Sequence, residues 1–183
     1  MSDSRVADFR IRRATLDDAA RLAAFAERSF DETFASFNDP DDFQLHLRRS
    51  FGEQQQSAEI ANPDNVTLLV LDADELVAFA QLMQRPSPAC VTVDNVIELH
   101  RIYVDKPAQG TGLAGRLMQA VRNVASEFGA RHIWLGVWEH NPRAIAFYAK
   151  QGFVDVGSHP FMLGNDQQVD RVLLAPIDSG VTA

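Results

Sequence analysis

"DKPAQGTGLAGRLM", residues 105–118, carries two glycine motifs at once. Gly110, Gly112 and Gly115 spell G-x-G-x-x-G, the fingerprint of dinucleotide-binding folds. Gly110 to Gly115 also gives the first half of a phosphate-binding P-loop, G-x-x-x-x-G. Both patterns bring bare backbone N–H groups to the start of a helix, where the positive dipole end favours phosphate. The residues on either side decide between them.

A P-loop needs Lys and Ser/Thr after its last glycine, to reach phosphate and Mg²⁺. Those positions hold Arg116 and Leu117, and leucine cannot ligate magnesium. The dinucleotide reading fares better, since strand, glycines, helix and strand occur in order, with Glu139 near the place of a ribose-binding acid. Against it, five residues, Asp105 to Gln109, separate the strand from the first glycine. Only about forty residues follow Glu139, too few for the rest of such a fold.

Working outward, "FRIRRAT" reads as a first strand, and Thr15 with Asp18 forms a capping signature for a helix to about Phe34. Ala19, Leu22, Ala26 and Phe30 mark its apolar face. A second helix from about Asp41 carries Phe43, Leu47 and Phe51, with a short helix over 53–61. "VTLLVLD" and "ELVAFAQLM" read as a hairpin around Asp72-Ala73-Asp74, and "RPSPAC" at 85–90 as a loop. "VIELHRIYV", 96–104, is a further strand. Leu113, Leu117, Val121, Val124 and Phe128 make a helical stripe ending before Gly129. "HIWLGVWE" is a strand; Asn141-Pro142 opens a short helix closed by Gly152; "FVDVGSHPFML" and "QVDRVLLAPI" are the last strands. The class is α/β, a mixed sheet with helices packed on it.

The 183 residues suit one domain spanning 1–183, with a core over about 8–177, and 46% hydrophobic content fits a globular interior. A lone cysteine, Cys90, excludes an internal disulfide framework and has no activating neighbour in "SPACVTV". No H-E-x-x-H or Cys/His spacing surrounds His46, His132, His140 or His159, so no metal site is expected. The N-terminal "MSDSRVADFRIRR" has no apolar run for a signal peptide, and no stretch is apolar enough for a membrane span; a cytoplasmic protein is expected. A net charge of −8 argues against nucleic acid and suits a cationic small molecule.

A third reading uses other letters of the same loop. Gln109-Gly110-Thr111-Gly112-Leu113-Ala114 matches Q/R-x-x-G-x-G/A, and "NPRAIAFYAKQGF" matches N-x-x-A-x-x-F-Y-x-x-x-G-F. With "ELHRIYV" before them, these motifs resemble the GNAT superfamily of N-acetyltransferases. The stretch from "IWLGVWE" to "VDRVLL" resembles in particular bacterial polyamine acetyltransferases of the PaiA kind. The motif-level likeness covers about 94–177; the earlier part agrees only in element order. It implies a GNAT-type mixed sheet with helices on both faces and a site for acetyl-CoA as co-substrate. The acceptor would be a primary amine, with a polyamine such as spermidine or spermine the first expectation and another small amine or a protein amine the alternative. A homodimer is left open. One departure stands out: Gly110 and Thr111 occupy positions that are basic in many relatives, leaving neutralisation to backbone amides, with Lys106 and Arg116 as helpers.

Acyl transfer requires the amine to lose a proton, the thioester carbonyl to be polarised and the leaving thiolate to gain a proton. A lysine-like amine of pKa ~10.4 resists deprotonation at pH 7 by roughly 4.6 kcal/mol, which is the reason to look for a base. Strict alternation along "VIELHRIYV" places Glu98, His100, Ile102 and Val104 on one face, with Glu98 the first candidate base and His100 the second. The resemblance implies a splayed strand that frees backbone groups of Ile102, Tyr103 and Val104 for the coenzyme, Val104 N–H being a candidate oxyanion donor. It also implies coenzyme contacts from Gln109 through Gly115 (Gly110, Thr111, Gly112, Leu113 and Ala114 between them) and from Asn141, with Tyr148 as general acid to sulfur. The acidic group Asp31, Glu32, Asp39, Asp41 and Asp42 is the candidate acceptor receptor, or else a set of solvated caps and turns.

Overall fold

A computed structural model describes residues 9–177; the expectations about the leader and the last residues lie outside that range. The elements in chain order are β1 (Phe9–Arg13), α1 (Ala19–Phe34), α2 (Pro40–Ser50), α3 (Glu53–Ala61), β2 (Asn65–Asp72), β3 (Glu75–Met83) and β4 (Val96–Val104). Then follow α4 (Leu113–Glu127), β5 (His132–Trp138), α5 (Pro142–Lys150), β6 (Val154–Leu163) and β7 (Asp166–Pro176). The expected order holds throughout, with boundaries within a few residues. A single 3-10 turn, Leu16–Asp18, stands between the Thr15 cap and α1. There Thr15 N–H donates to Asp18 Oδ2 at 2.8 Å, and Arg12 and Arg21 hold the same carboxylate.

The strands form one seven-stranded sheet, β1-β2-β3-β4-β5-β7-β6. Neighbours are antiparallel except β4 and β5, which run parallel and touch only at Val96, Ile97 and Glu98 against His132, Ile133 and Trp134. Beyond Glu98 the two strands part. On one face, α4 buries Leu113, Leu117, Met118, Val121 and Val124 against Leu68, Ala80, Ile97 and Leu135, and α5 packs Ile145 and Tyr148 beside them. On the other, Leu22, Phe25 and Phe30 of α1 and Phe43 and Leu47 of α2 pack on Leu69 and Phe79. Helices therefore cover both faces.

β4 departs from strict alternation. Gln81 pairs with Arg101 and Leu82 with Leu99, so His100 is an extra residue in a bulge. A bulge inserts one residue and re-aims those after it. Ile102 and Val104 therefore share the α4 face with Ile97 and Leu99. Glu98 lies opposite Ile97 and Leu99, on the side of Arg101 and Tyr103. The expected common face for Glu98, His100, Ile102 and Val104 is thus overturned. The bulge also adds local bend and twist where β4 leaves β5.

Candidate functional site

The parting of β4 and β5 opens a cleft of about 600 Å³. Its floor is the end of β4. Asp105 N–H donates to Val77 O at 2.9 Å across the ladder to β3. In an antiparallel pair alternate residues point their N–H and C=O groups to opposite sides. Those of Ile102 and Val104 therefore face the gap, where β5 is no longer adjacent. Gln109 Nε2 donates to the Val104 carbonyl at 2.8 Å, leaving the Val104 N–H for another acceptor.

At one end of the cleft stands the loop before α4. Gly110 (φ 79°) and Gly112 (φ 85°) both adopt the left-handed conformation that favours glycine. Gly112 is the N-cap, and no side chain accepts from the first amides of α4. A helix start without a cap presents unpaired N–H groups and a positive dipole end. These suit a pyrophosphate.

Ile102, Tyr103, Val104, Gln109, Gly110, Gly112, Ala114, Gly115, Asn141 and Tyr148 line this cleft together. Two expected residues turn their side chains elsewhere, leaving only their backbone amides to the coenzyme. Thr111 turns its hydroxyl to the Ala108 carbonyl at 2.7 Å, and the Leu113 side chain is in the core, 1% exposed. The helper cations are engaged as well: Lys106 Nζ is 3.3 Å from Glu32, and Arg116 donates to Phe9 O at 3.2 Å. Arg143, which no sequence motif marked, lines the cleft and donates to Gln109 Oε1 at 2.6 Å, beside the glycine loop. Its place in the first turn of a helix bordering the loop was the available signal.

On α5, Asn141 Oδ1 accepts from Ala144 N–H at 3.1 Å and so caps the helix. That aims Tyr148, two turns on, into the cleft. Its ring packs on Phe147 and Phe153, and its hydroxyl has no hydrogen-bond partner among the described residues. Burial, and secondarily Tyr103, push its pKa well above the usual phenol range. The phenol stays protonated at neutral pH, the state a proton donor requires.

Glu98 is 4% exposed and does not line the cleft. Arg85 holds its carboxylate, with Nη2 to Oε1 at 2.7 Å, and His100 Nδ1 lies 3.3 Å from the same oxygen. Burial raises the Glu98 pKa, but His100 and Arg85 outweigh it and hold the group below its ordinary value. Arg101, the cation nearest in sequence, is committed to Glu59 and Gln81 at 2.8 and 2.7 Å. His100 does line the cleft. Burial lowers its pKa, Glu98 pulls it back, and Arg101 and Arg85 lower it further. The ring is neutral at pH 7. Arg85 Nη2, a donor, also lies 3.3 Å from His100 Nδ1; in the tautomer that donates Nδ1–H to Glu98, Nε2 keeps its lone pair.

The acidic group does not gather. Asp39 caps α2 by accepting from Asp41 and Asp42 N–H, and Asp42 Oδ1 accepts from Asn165 N–H. Of the five, Glu32 alone reaches the cleft wall. The far side of the cleft is instead aromatic. Trp138 has Phe34 at 6.1 Å and Phe37 at 5.7 Å between ring centroids.

Residues 23–153 match the acetyltransferase (GNAT) family model. The chain belongs to this family. It is an N-acetyltransferase whose co-substrate is acetyl-CoA. A relative, an uncharacterized N-acetyltransferase in the pepI 3′ region of Lactobacillus delbrueckii subsp. lactis, is 31% identical over 85% of this chain and 90% of its own. A probable spermine N(1)-acetyltransferase of Bacillus subtilis subsp. natto is 30% identical over 43% of this chain and 53% of its own. Among solved structures, the PaiA N-acetyltransferase of Thermoplasma acidophilum, in complex with coenzyme A, superposes with a TM-score of 0.76. It shares 20% identity and covers 92% of this chain and 99% of that one, a likeness of fold. Among the described residues no helix is long and apolar enough to cross a membrane, and no group of three His, Cys, Asp or Glu side chains is placed to hold a metal.

Proposed function

We propose that this acetyltransferase acts on a primary amine of a polyamine, of the spermidine or spermine kind. The observation that carries acyl transfer is the parted β4–β5 pair, with an uncapped helix start at one end and Tyr148 and His100 on its walls. Bound acetyl-CoA supplies the acetyl thioester. The protein does the rest. The amides at the start of α4, with Arg143 nearby, receive the pyrophosphate; Asn141 and the free edge of β4 hold the pantetheine arm. Val104 N–H donates to the oxyanion as the carbonyl is attacked. Tyr148 gives its proton to the departing sulfur.

The base is the Glu98–His100 pair. Glu98 accepts the Nδ1 proton and fixes the ring; His100, the member on the cleft wall, takes the amine's proton at Nε2, directly or through water. Polyamine acceptance is supported by the spermine acetyltransferase of Bacillus, by the PaiA neighbour and by the −8 charge. A thiol-release assay with acetyl-CoA and a panel of polyamines, aminoglycosides, amino acids and lysine peptides tests it. Polyamines are expected to give the highest kcat/KM. Turnover confined to neutral amino acids or peptide N-termini would overturn the acceptor and leave the transferase.

A further inference from the structure

Among the described residues four acidic side chains are buried: Asp18, Glu59, Glu98 and Asp170. Three have arginine partners, Arg12 and Arg21 for Asp18, Arg101 for Glu59 and Arg85 for Glu98. Asp170 has none. It is 9% exposed, yet no hydrogen bond or ion pair among the described residues engages its carboxylate. Burial raises its pKa to about 6, with His159 drawing it back. A buried carboxylate without a partner is costly and calls for a compensating cation.

Its position says where that cation comes from. Asp170 of β7 pairs in register with Trp138 of β5 on one side and His159 of β6 on the other. It lies on the face of Val172, the side of the sheet opposite α4. A Cβ added at Gly136 would stand 3.0 Å from both Asp170 Oδ2 and His159 Nε2, so the missing side chain leaves a gap onto both. Gly136 and Trp138 line the cleft, while Asp170 and His159 lie behind Gly136, outside the lining. His159 Nδ1 is 2.9 Å from Pro160 O, so in the neutral ring its proton is donated there and Nε2 is an acceptor. In that tautomer Asp170 Oδ2 and His159 Nε2 present two acceptors above Gly136, and no hydrogen bond or ion pair among the described residues joins them. An ammonium group, with three N–H donors, suits that place.

We infer that Asp170 binds an ammonium of the acceptor that is not the one acetylated, which makes the substrate a diamine or polyamine with a second charged nitrogen. The chemistry requires this division. The reacting nitrogen must give up its proton, and a carboxylate held against it would favour the charged form; a second nitrogen keeps its charge throughout.

The inference rests on the acetyltransferase reading, and the experiment separates the two. Acetyl-CoA binding is followed by calorimetry. The kcat/KM values are then measured for an α,ω-diamine and for the monoamine of equal length with a methyl in place of the remote nitrogen. The wild type is expected to prefer the diamine at least tenfold, through KM. Asp170→Asn is expected to erase that preference with acetyl-CoA affinity unchanged and a melting temperature equal or higher, since an unpaired buried charge is removed. A residue with only a packing role would not shift the diamine-to-monoamine ratio. Equal use of both amines by the wild type, or a preference surviving in Asp170→Asn, overturns the inference. Failure of the wild type to bind acetyl-CoA overturns the transferase reading instead. Should Asp170→Asn not fold, Gly136→Ala, which closes the gap, discriminates in the same way: preference lost supports the inference, preference kept overturns it.

Discussion

His100 and Glu98 divide one task according to what each can reach. Glu98 contributes to the imidazole's proton affinity, so Glu98→Gln should move the acidic limb of the pH profile of kcat/KM to lower pH. His100→Gln should remove that limb and lower kcat about a hundredfold. A limb lost with Glu98→Gln and intact in His100→Gln would make Glu98 itself the base. Tyr148→Phe should likewise lower kcat about a hundredfold with unchanged acetyl-CoA affinity by calorimetry, because only the proton donor is removed; normal kcat would assign Tyr148 to packing. A second histidine reports on stability. His46 sits among Phe30, Phe51 and Phe161, and burial, aided by Arg101 and His100, lowers its pKa to about 4. Between pH 6.5 and 4 the unfolded chain binds a proton there that the folded protein does not, so its contribution to stability falls as pH falls. Asp170 acts in the opposite sense, its folded pKa being raised. The comparison is therefore with a variant. Relative to His46→Phe, the wild type should lose about 2 kcal/mol between pH 7 and pH 4 in denaturant titrations, less than the full shift implies because solvent reaches part of the ring.

Local signals carried far. The stripe Leu117, Val121 and Val124 of α4 and the Asn141 cap of α5 depend only on neighbours along the chain, and they formed as their spacing implies. What depended on pairing across strands was not legible. The bulge at His100 exists because β3 and β4 lose register between Gln81 and Leu82, and it redistributes a whole strand's side chains between two faces. Arg85 reaches Glu98 from the chain beyond β3, so no spacing on β4 could show the pair. The glycine loop was legible because its requirement is local: two positive-φ positions opening a helix. An aspartate at Gly112 brings a negative charge to an anion site and a side chain to a left-handed residue. Gly112→Asp should thus weaken acetyl-CoA binding at least a hundredfold by calorimetry while the circular dichroism stays that of the wild type. Gly112→Ala, which adds strain without charge, should lose less. Equal losses would mean that backbone conformation, rather than anion attraction, governs the loop.

Across the whole molecule the net charge is −8, but of the acidic side chains only Glu32 and Asp105 line the cleft, beside Arg101, Lys106 and Arg143. Asp170 stayed hidden in the sequence because "QVDRVLL" shows an acid in phase with buried Val172 but cannot show that no arginine meets it. Steering by net charge and holding by one carboxylate respond differently to salt, since exposed charges are screened over about 10 Å at 0.1 M and buried ones much less. Rising salt should therefore raise KM for a polyamine only modestly. Cys90 packs against Gly157, outside the cleft lining, so transfer should pass from acetyl-CoA to the amine with no acetyl-cysteine between. One measurement decides whether the cleft performs that reaction: coenzyme A release and acetylated amine quantified together in the wild type, Cys90→Ala and Gly112→Asp. The expected result is one thiol released per acetyl-amine formed, at equal rates in wild type and Cys90→Ala and nearly none in Gly112→Asp. Activity that vanishes with Cys90→Ala in a folded protein, or persists undiminished in Gly112→Asp, would contradict direct transfer at this site.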